Sequence, residues 1–209
     1  MIIFSGCKDS IFHHRLKEGS IQYKIAVLDT VNPMAKMAPD EMTIKFKDNR
    51  SRAELLAGMG MFQISFINDE PGKKIMQLVR EASKKMACVM DTLAVNKDLE
   101  HDVQFKITET SDTLTIAGYK CHKALAKSVD GKAPDCELFY TDDIKLDNPN
   151  WATPFKAVKG VLLKYRLNKY GVYMEFTAEK VASEKVDDEM FRMPADYKIV
   201  PKQQIDELF

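Results

Sequence analysis

The chain has 209 residues, of which 45% are hydrophobic, so it can bury the core of one sizeable domain. Lysine plus arginine and aspartate plus glutamate both number 31, so the formal net charge is zero. This balance argues against a nucleic-acid partner, because phosphate binding needs clustered cations. No apolar run approaches the roughly 20 residues of a transmembrane helix, which argues against a helical membrane span.

The first seven residues are similar to the end of a lipoprotein signal peptide. An apolar stub, residues 1–4, precedes Ser5-Gly6-Cys7. In such signals cleavage falls after a small residue, and the cysteine that follows receives lipid. We therefore expect Cys7 to be the lipid attachment site, within a segment 1–18 that comprises a signal-peptide remnant, the lipidated cysteine and a polar tether. The stub is shorter than a full signal peptide, so we expect the natural start to lie upstream. The alternative is a frayed N-terminus with an incidental cysteine.

Alternation of apolar and polar residues dominates the rest of the chain. It predicts strands with one buried face at residues 21–27, 42–46 and 62–66. A turn is predicted at 68–72, after which 73–80 returns as a strand. Such a short connection favours an antiparallel hairpin.

The later part of the chain continues the same pattern. Further strands are predicted at 86–90 and 105–108, and two more hairpins pair 119–127 with 136–141 and 161–168 with 172–181. Short helical segments are expected only at 81–85 and 149–157. The pattern predicts a mainly β fold, a curved antiparallel sheet of about eight to eleven strands, with residues 19–209 forming a single domain.

The hairpin around Asp130-Gly131 fixes an expected register for two cysteines. If these two residues form the turn, Cys136 lies opposite Leu125 and Cys121 lies opposite Tyr140. The two thiols are then four residues out of register, or roughly 14 Å apart. A disulfide needs Cα atoms within about 7 Å, so we expect no bond between them.

Several motifs together resemble a family of secreted proteins and lipoproteins of Bacteroidota. They are Met59-Gly60-Met61, residues 115–121, Phe139-Tyr140-Thr141-Asp142-Asp143-Ile144, and the ending at residues 191–197. The resemblance implies a half-barrel like those of LolA, LolB and LppX: a curved antiparallel sheet with one or two short helices on its concave side. It also implies a location in the bacterial cell envelope, periplasmic or associated with the outer membrane. LolA-like relatives carry lipid or lipoprotein acyl chains on the concave side.

Motifs for catalysis are absent from the sequence. There is no G-x-S-x-G, H-E-x-x-H, P-loop, G-x-G-x-x-G or paired C-x-x-C pattern. His122 is adjacent to Cys121, so on a strand their side chains point to opposite faces and cannot act as a pair. We therefore expect no enzymatic activity, no cofactor and no metal site.

Methionine is unusually frequent, with 12 residues. Its flexible, polarisable side chain suits an ordinary core, the wall of a cavity for an apolar ligand, or Cu(I) ligation. We rank these interpretations in that order, since no cysteine or histidine lies at short spacing from Met59 and Met61.

Two functions remain open from the sequence. The first is a non-catalytic lipoprotein that binds or carries a lipid or other apolar ligand on the concave face. The predicted site is then formed by Met42, Ile44, Phe46, Met61, Ile64, Phe66 and Met76. An apolar sheet face needs a cover, and few helices are predicted to supply one. The second is a structural or protein-interaction lipoprotein with a filled core. In both, the partner is a membrane reached through the N-terminal lipid, and not a nucleic acid.

Overall fold

The computed structural model describes residues 15–29, 31–169 and 171–209. Most of these residues belong to strands. The strands are β1 (Glu18–Val27), β2 (Glu41–Lys47), β3 (Arg50–Ala57), β4 (Phe62–Asp69), β5 (Lys74–Glu81), β6 (Lys84–Asp91), β7 (Phe105–Ile116), β8 (Tyr119–Ser128), β9 (Cys136–Thr141), β10 (Val161–Lys169), β11 (Val172–Ala182) and β12 (Lys198–Ile199). The α-helices are α1 (Thr92–His101) and α2 (Lys202–Asp206), and short 3-10 helices span Pro33–Met37 and Asp188–Phe191.

The described strands form one open sheet in the order β12-β6-β5-β4-β3-β2-β1-β11-β10-β9-β8-β7. Neighbouring strands are antiparallel except β12 and β6, which pair in parallel. The sheet curves, so that β2 to β5 and β10 to β11 line the same cavity on its concave side. The predicted fold class, a mainly β, curved antiparallel half-barrel with short helices on the concave side, is confirmed. In the described ranges, no helix combines the length and the apolar character needed to cross a membrane.

Register explains why one face of the sheet is apolar. A single row of paired residues crosses six strands from β1 to β6, and each member is hydrophobic. The row runs Tyr23, Met42, Leu55, Ile64, Val79, Met86. Because side chains alternate between faces along each strand, residues two positions away in either direction share the concave side.

The convex face of β4 to β6 is covered by the strap, residues 183–197. Val186 and Phe191 of the strap pack against Ile67, Leu78 and Ala87 of these strands. Three ion pairs join the strap to the sheet, and one of them links Lys185 Nζ to Glu18 Oε1 of β1 at 3.0 Å. Lys47 Nζ lies 2.9 Å from Asp188 Oδ1, and Lys85 pairs with Asp196.

The concave face of the same strands is covered by the two helices. Asp91 caps α1 by accepting a hydrogen bond from the Ala94 amide at 2.9 Å. The helix then packs Val95 and Leu99 against Ile75 of β5. On α2, Ile205 is fully buried in the cluster that contains Ile64 and Val79.

The predicted helix positions were wrong, because both segments have other roles. Residues 82–83 are the turn of the β5–β6 hairpin. Residues 149–157 are a succession of turns within the covering loop, residues 142–160, between β9 and β10. Phe155 and Val158 of this loop pack on the concave side of β8 to β10, and the buried Asn150 amide donates hydrogen bonds to the carbonyls of Val158 and Gly160 at 2.8 and 2.9 Å.

The register of the β8–β9 hairpin differs by one residue from the expected one. Cys136 lies opposite Ala126. The loop between the strands is longer than a two-residue turn and is closed by a hydrogen bond from the Ser128 amide to Asp135 Oδ1 at 2.9 Å. Cys121 and Cys136 are both buried free thiols and belong to different core clusters.

A candidate ligand cavity on the concave face

An apolar cavity of about 340 Å³ lies on the concave face of the sheet. We call it the apolar cavity. Its volume lies in the range of small-molecule binding sites. It is lined by Met34, Met37, Ala38, Pro39, Met42, Ile44, Ser51, Ala53, Leu55, Ala57, Ile64, Phe66, Asn68, Ile75, Asp102, Pro149, Ala152, Thr153, Pro154, Tyr165, Leu167, Lys169, Val172, Met174, Phe176 and Phe209.

The cavity exists because β3 carries small side chains on the concave face. Four residues of this strand reach the cavity, and three of them, Ser51, Ala53 and Ala57, are small; the fourth is Leu55. In the neighbouring strands the paired residues are large: Ala53 lies between Ile44 of β2 and Phe66 of β4. A row of small residues between rows of large ones leaves a trough in the floor of the half-barrel, and side chains of β10 and β11 face it from the other side.

The bridge segment, residues 32–39, closes one side of the cavity. Asn32 accepts a hydrogen bond from the Met34 amide at 2.9 Å, which starts the 3-10 helix. Asn32 Nδ2 donates a hydrogen bond to the Gly171 carbonyl at 2.6 Å, at the turn between β10 and β11. At the other end of the helix, the Met37 carbonyl accepts from the Gly58 amide at 2.8 Å. The segment therefore spans two turns of the sheet and places two flexible methionine side chains on the cavity.

The covering loop closes another side. Trp151 Nε1 donates to Asn68 Oδ1 on β4 at 2.7 Å, which ties the loop to the sheet. The adjacent residues Ala152, Thr153 and Pro154 then reach the cavity. The Thr153 hydroxyl donates to the Asn150 carbonyl at 2.9 Å, so this polar group is engaged within the loop.

An aromatic wall limits the cavity at β10 and β11. Tyr165 stacks on Phe176 with ring centroids 4.8 Å apart and an interplanar angle of 1°. Tyr23 and Phe155 pack edge-on against the same tyrosine. Burial raises the pKa of the Tyr165 phenol far above its ordinary value of 10.0, so this side chain stays neutral.

The structure brings four of the seven residues of the predicted site together. Met42, Ile44, Ile64 and Phe66 line the apolar cavity. Phe46 is on the same face but is fully buried in the core cluster around β1.

The other two predicted residues lie away from the cavity. Met61 follows the Gly58-Met59-Gly60 turn and is 57% exposed, and Met59 has a positive φ of 54°, so this segment is not a strand. Met76 pairs with Ile67 and therefore points to the convex face, where it packs under the strap. Cys7 lies outside the described residues.

Several cavity residues were missed by the sequence prediction. β3 was not predicted, so Ala53 and Leu55 were not considered. β10 and β11 were predicted as strands, and residues 149–157 of the covering loop were predicted as a short helix, but nothing in these sequences shows that a curved sheet brings them opposite β3. In the described ranges, no group of three or more histidine, cysteine, aspartate or glutamate residues lies close enough to hold a metal ion.

Comparison with known proteins gives only remote similarities. No family model matches the sequence, and no curated protein matches it at a significant level. Among solved structures, the crystal structure of MucB is similar over 90% of this chain and 61% of the MucB chain, at 10% identity and a TM-score of 0.38. The structure of MucB in complex with MucA(peri) matches at 13% identity and a TM-score of 0.36, over 90% of this chain and 58% of that one. The Pseudomonas aeruginosa MucA/MucB complex matches at 12% identity and a TM-score of 0.36, over 90% and 59%. The chain thus spans less than two thirds of the MucB chains that it matches.

Proposed function

We propose that this chain is a non-catalytic cell-envelope lipoprotein that binds a lipid or another elongated apolar ligand in the apolar cavity. The observation that carries the proposal is the cavity itself, a space of about 340 Å³ whose walls are mostly hydrophobic. Protein interiors are normally close-packed, so a space of this size beside a packed core favours a guest molecule.

Two of the polar groups at the cavity are engaged within the protein, which favours binding over catalysis. Asn68 is occupied by Trp151, and the Thr153 hydroxyl is occupied by the covering loop. The methionines of the bridge segment can adapt to chains of different shape, because their side chains are unbranched and flexible.

The affinity for such a ligand should follow the length of its apolar chain. Each buried methylene contributes about 0.8 kcal/mol, which corresponds to an increase in affinity of roughly fourfold. For a series of saturated fatty acids, we expect the affinity to rise with each added carbon until the cavity is full and then to level off. Displacement of a fluorescent fatty acid from the full chain carrying Cys7→Ala measures this series.

Two substitutions test whether binding occurs in the apolar cavity. Ala53→Phe fills the trough with an apolar ring, and Ile64→Glu places a carboxylate in the wall. Both should abolish saturable binding. Ala94→Phe, the same change at an exposed position of α1, is the matched control and should bind like the unsubstituted chain.

Binding that is absent, or that persists in both cavity variants while the proteins remain folded by circular dichroism, would contradict the proposal. Ala53→Phe protects the test against loss of folding, because it keeps the site apolar.

The membrane anchor is a separate part of the proposal. Ser5-Gly6-Cys7 after an apolar stub supports lipidation at Cys7. Metabolic labelling with a fatty-acid probe should label the natural protein and leave Cys7→Ala unlabelled. Equal labelling of the two proteins would refute the anchor without affecting the ligand site.

The second candidate function is docking of a protein partner. Its support is an apolar surface in the connections at one end of strands β1 to β4, where Val31 is 90% exposed and Met59 is 93% exposed. A photo-crosslinking residue at position 59, introduced in the producing cells, would capture such a partner. A specific crosslink together with an empty, non-binding cavity would favour this function over the first.

A further inference from the structure

The hydroxyl of Tyr165 is a polar group that the packing of the protein leaves without a partner. The side chain lies on β10, lines the apolar cavity and stacks on Phe176 of β11. Within residues 15–29, 31–169 and 171–209, no hydrogen bond involves this hydroxyl. Tyrosine hydroxyls in protein interiors usually find a partner, because an unpaired one lowers stability. A hydroxyl that the protein does not use is therefore available to a guest molecule.

Tyr23, which packs edge-on against Tyr165, shows the usual arrangement. It is 3% exposed, and its hydroxyl donates a hydrogen bond to the Leu162 carbonyl at 2.7 Å. Tyr165 is instead partly exposed, although the surrounding protein desolvates its phenol and raises its pKa. The residue lines the apolar cavity, which accounts for this accessible surface deep in the protein.

Three aromatic contacts fix the orientation of the Tyr165 ring. Phe176 lies parallel to it at 4.8 Å between centroids, and Tyr23 and Phe155 contact it edge-on at 6.2 and 6.3 Å. A ring restrained in this way presents its hydroxyl in one direction, as a directional hydrogen bond requires. The hydroxyl can therefore select an acceptor at one depth of the cavity.

The charges of the apolar cavity indicate which acceptor fits. The ionisable residues among its lining are Asp102 and Lys169, and Lys169 has an interaction of its own within the protein. A carboxylate or phosphate beside Tyr165 would be buried among apolar side chains with no unengaged cation among the described lining residues, which is costly. A neutral ester carbonyl loses much less hydration, accepts a hydrogen bond and brings no donor that needs a partner.

We infer that Tyr165 determines specificity by donating a hydrogen bond to the carbonyl of a neutral acyl ester bound in the apolar cavity. The inference rests on the proposed function and adds the chemical class of the ligand. The apolar chain supplies most of the affinity, and the hydrogen bond sets the position of the ester. A site that hydrogen-bonds one group of its ligand discriminates against an analogue lacking that group, because the protein group is then left unpaired.

Three probes with the same chain separate the carbonyl from the rest of the ligand. Monolauroylglycerol has the ester, dodecylglycerol has an ether in its place, and dodecanoate has a charged carboxylate. Each is titrated below its micelle concentration, as a competitor of the fluorescent fatty acid, against the full chain carrying Cys7→Ala. We expect the ester to bind about fivefold more tightly than the ether, as one neutral hydrogen bond would give.

Tyr165→Phe locates this preference. It should bring the affinity for monolauroylglycerol down to that for dodecylglycerol, while the affinities for dodecylglycerol and dodecanoate stay as they were or rise. Tyr173→Phe is the matched control and should keep the preference. Tyr173 lies between Val172 and Met174, which line the cavity, so its side chain points to the convex face.

The stability of the unligated protein supplies a second readout. Tyr165→Phe removes a hydroxyl that has no partner, so its Tm, followed by circular dichroism, should equal or slightly exceed that of the unsubstituted chain. A Tm lower by several degrees would show that the hydroxyl has a role within the protein and would overturn the inference.

The binding outcomes distinguish the inference from the function on which it rests. Equal affinities for ester and ether in the unsubstituted chain, or a preference that survives Tyr165→Phe, would overturn the inference and leave a ligand in the apolar cavity. Weakening of dodecanoate by Tyr165→Phe as large as that of the ester would overturn the neutral ester as the ligand class. Absence of saturable binding for all three probes would overturn the proposed function as well.

Discussion

The two halves of the sheet are covered differently. Across β4 to β6, the strap covers the convex face and the helices cover the concave face, so Ile67 is as deeply buried as Ile64 on the other side. Across the paired ends of β7 and β8, residues 105–109 and 124–128, the covering loop packs on the concave face, while a convex residue such as Leu125 is 42% exposed. Strands covered on one face keep clean sequence alternation, and strands covered on both faces lose it.

Truncating a buried strap residue should produce the largest loss of stability, and it tests whether β4 to β6 are covered on both faces. Phe191→Ala deletes a ring that is 5% exposed and packs against β4 to β6, so we expect a loss of about 3–5 kcal/mol in the free energy of unfolding. Leu125→Ala, on the open convex face of β8, should change it by less than about 0.5 kcal/mol. Urea denaturation followed by circular dichroism measures both, and equal losses would mean that the two halves are not covered differently.

The covering loop, which covers only the concave face of its strands, depends on Asn150 for its conformation. Its amide satisfies two buried carbonyls of the covering loop, so Asn150→Ala should cost about 1–3 kcal/mol in the free energy of unfolding. Asn168→Ala on the exposed end of β10 is the control and should have little effect. A neutral Asn150→Ala variant would show that water replaces the amide and that the loop is held by packing alone.

Acid should weaken the attachment of the strap to the sheet. Hydrogen bonds from Lys47 and Lys85 lower the pKa of Asp188 and Asp196, respectively, below the ordinary value of 3.8. The stabilisation is therefore present above about pH 3.8 and is lost as the pH falls through the lower folded-state values. The expected loss is smaller than that of Phe191→Ala, because both carboxylates are at the surface. The double variant Asp188→Asn, Asp196→Asn should be less stable at neutral pH and should show a flatter acid dependence; an unchanged dependence would exclude the strap as its source.

The smallest expected effect is a difference in alkylation rate between buried cysteines, which measures local opening of the sheet. Burial raises the pKa of Cys121 to about 11, and it also raises the pKa of Cys88 and Cys136, so these three thiols should resist alkylation at pH 8 in the folded chain. In intermediate urea we expect Cys136, in the singly covered half, to be labelled a few times faster than Cys88 under the helices. Pulsed labelling followed by peptide mass spectrometry checks this, and identical labelling rates would indicate that the sheet opens as one unit.

The alternation of β1 and β2 made these strands predictable from the sequence, because each has one apolar face and one polar face. β5 was harder. Its sequence around Ile75-Met76-Gln77-Leu78 places apolar residues on both faces, so the side to which Met76 points depends on its pairing with Ile67. The strap makes a hydrophobic convex face acceptable there, and nothing local to β5 indicates the strap. β3 was missed for a different reason, since Ser51 and Ala53 are too small to show a periodic apolar signal.

The candidate site was predictable only where one strand supplied several of its members. Ile44 with Met42, and Ile64 with Phe66, were identified because they alternate within their own strands. Tyr165, Met174 and the methionines of the bridge segment reach the cavity through curvature of the sheet and through single hydrogen bonds such as Asn32 to Gly171. These depend on contacts between residues far apart in the sequence, which periodicity does not report.

β3 places a regular series of residues along one wall of the apolar cavity. Positions 51, 53, 55 and 57 face the same space and follow one another at intervals of about 6.8 Å, two residues of an extended strand. Enlarging a single side chain at one of these positions would block the trough at that depth and leave the pairing of β2, β3 and β4 intact. For the ligand proposed above, residues of β3 would therefore set the accepted chain length, and single substitutions along the strand would change that length without altering the sheet.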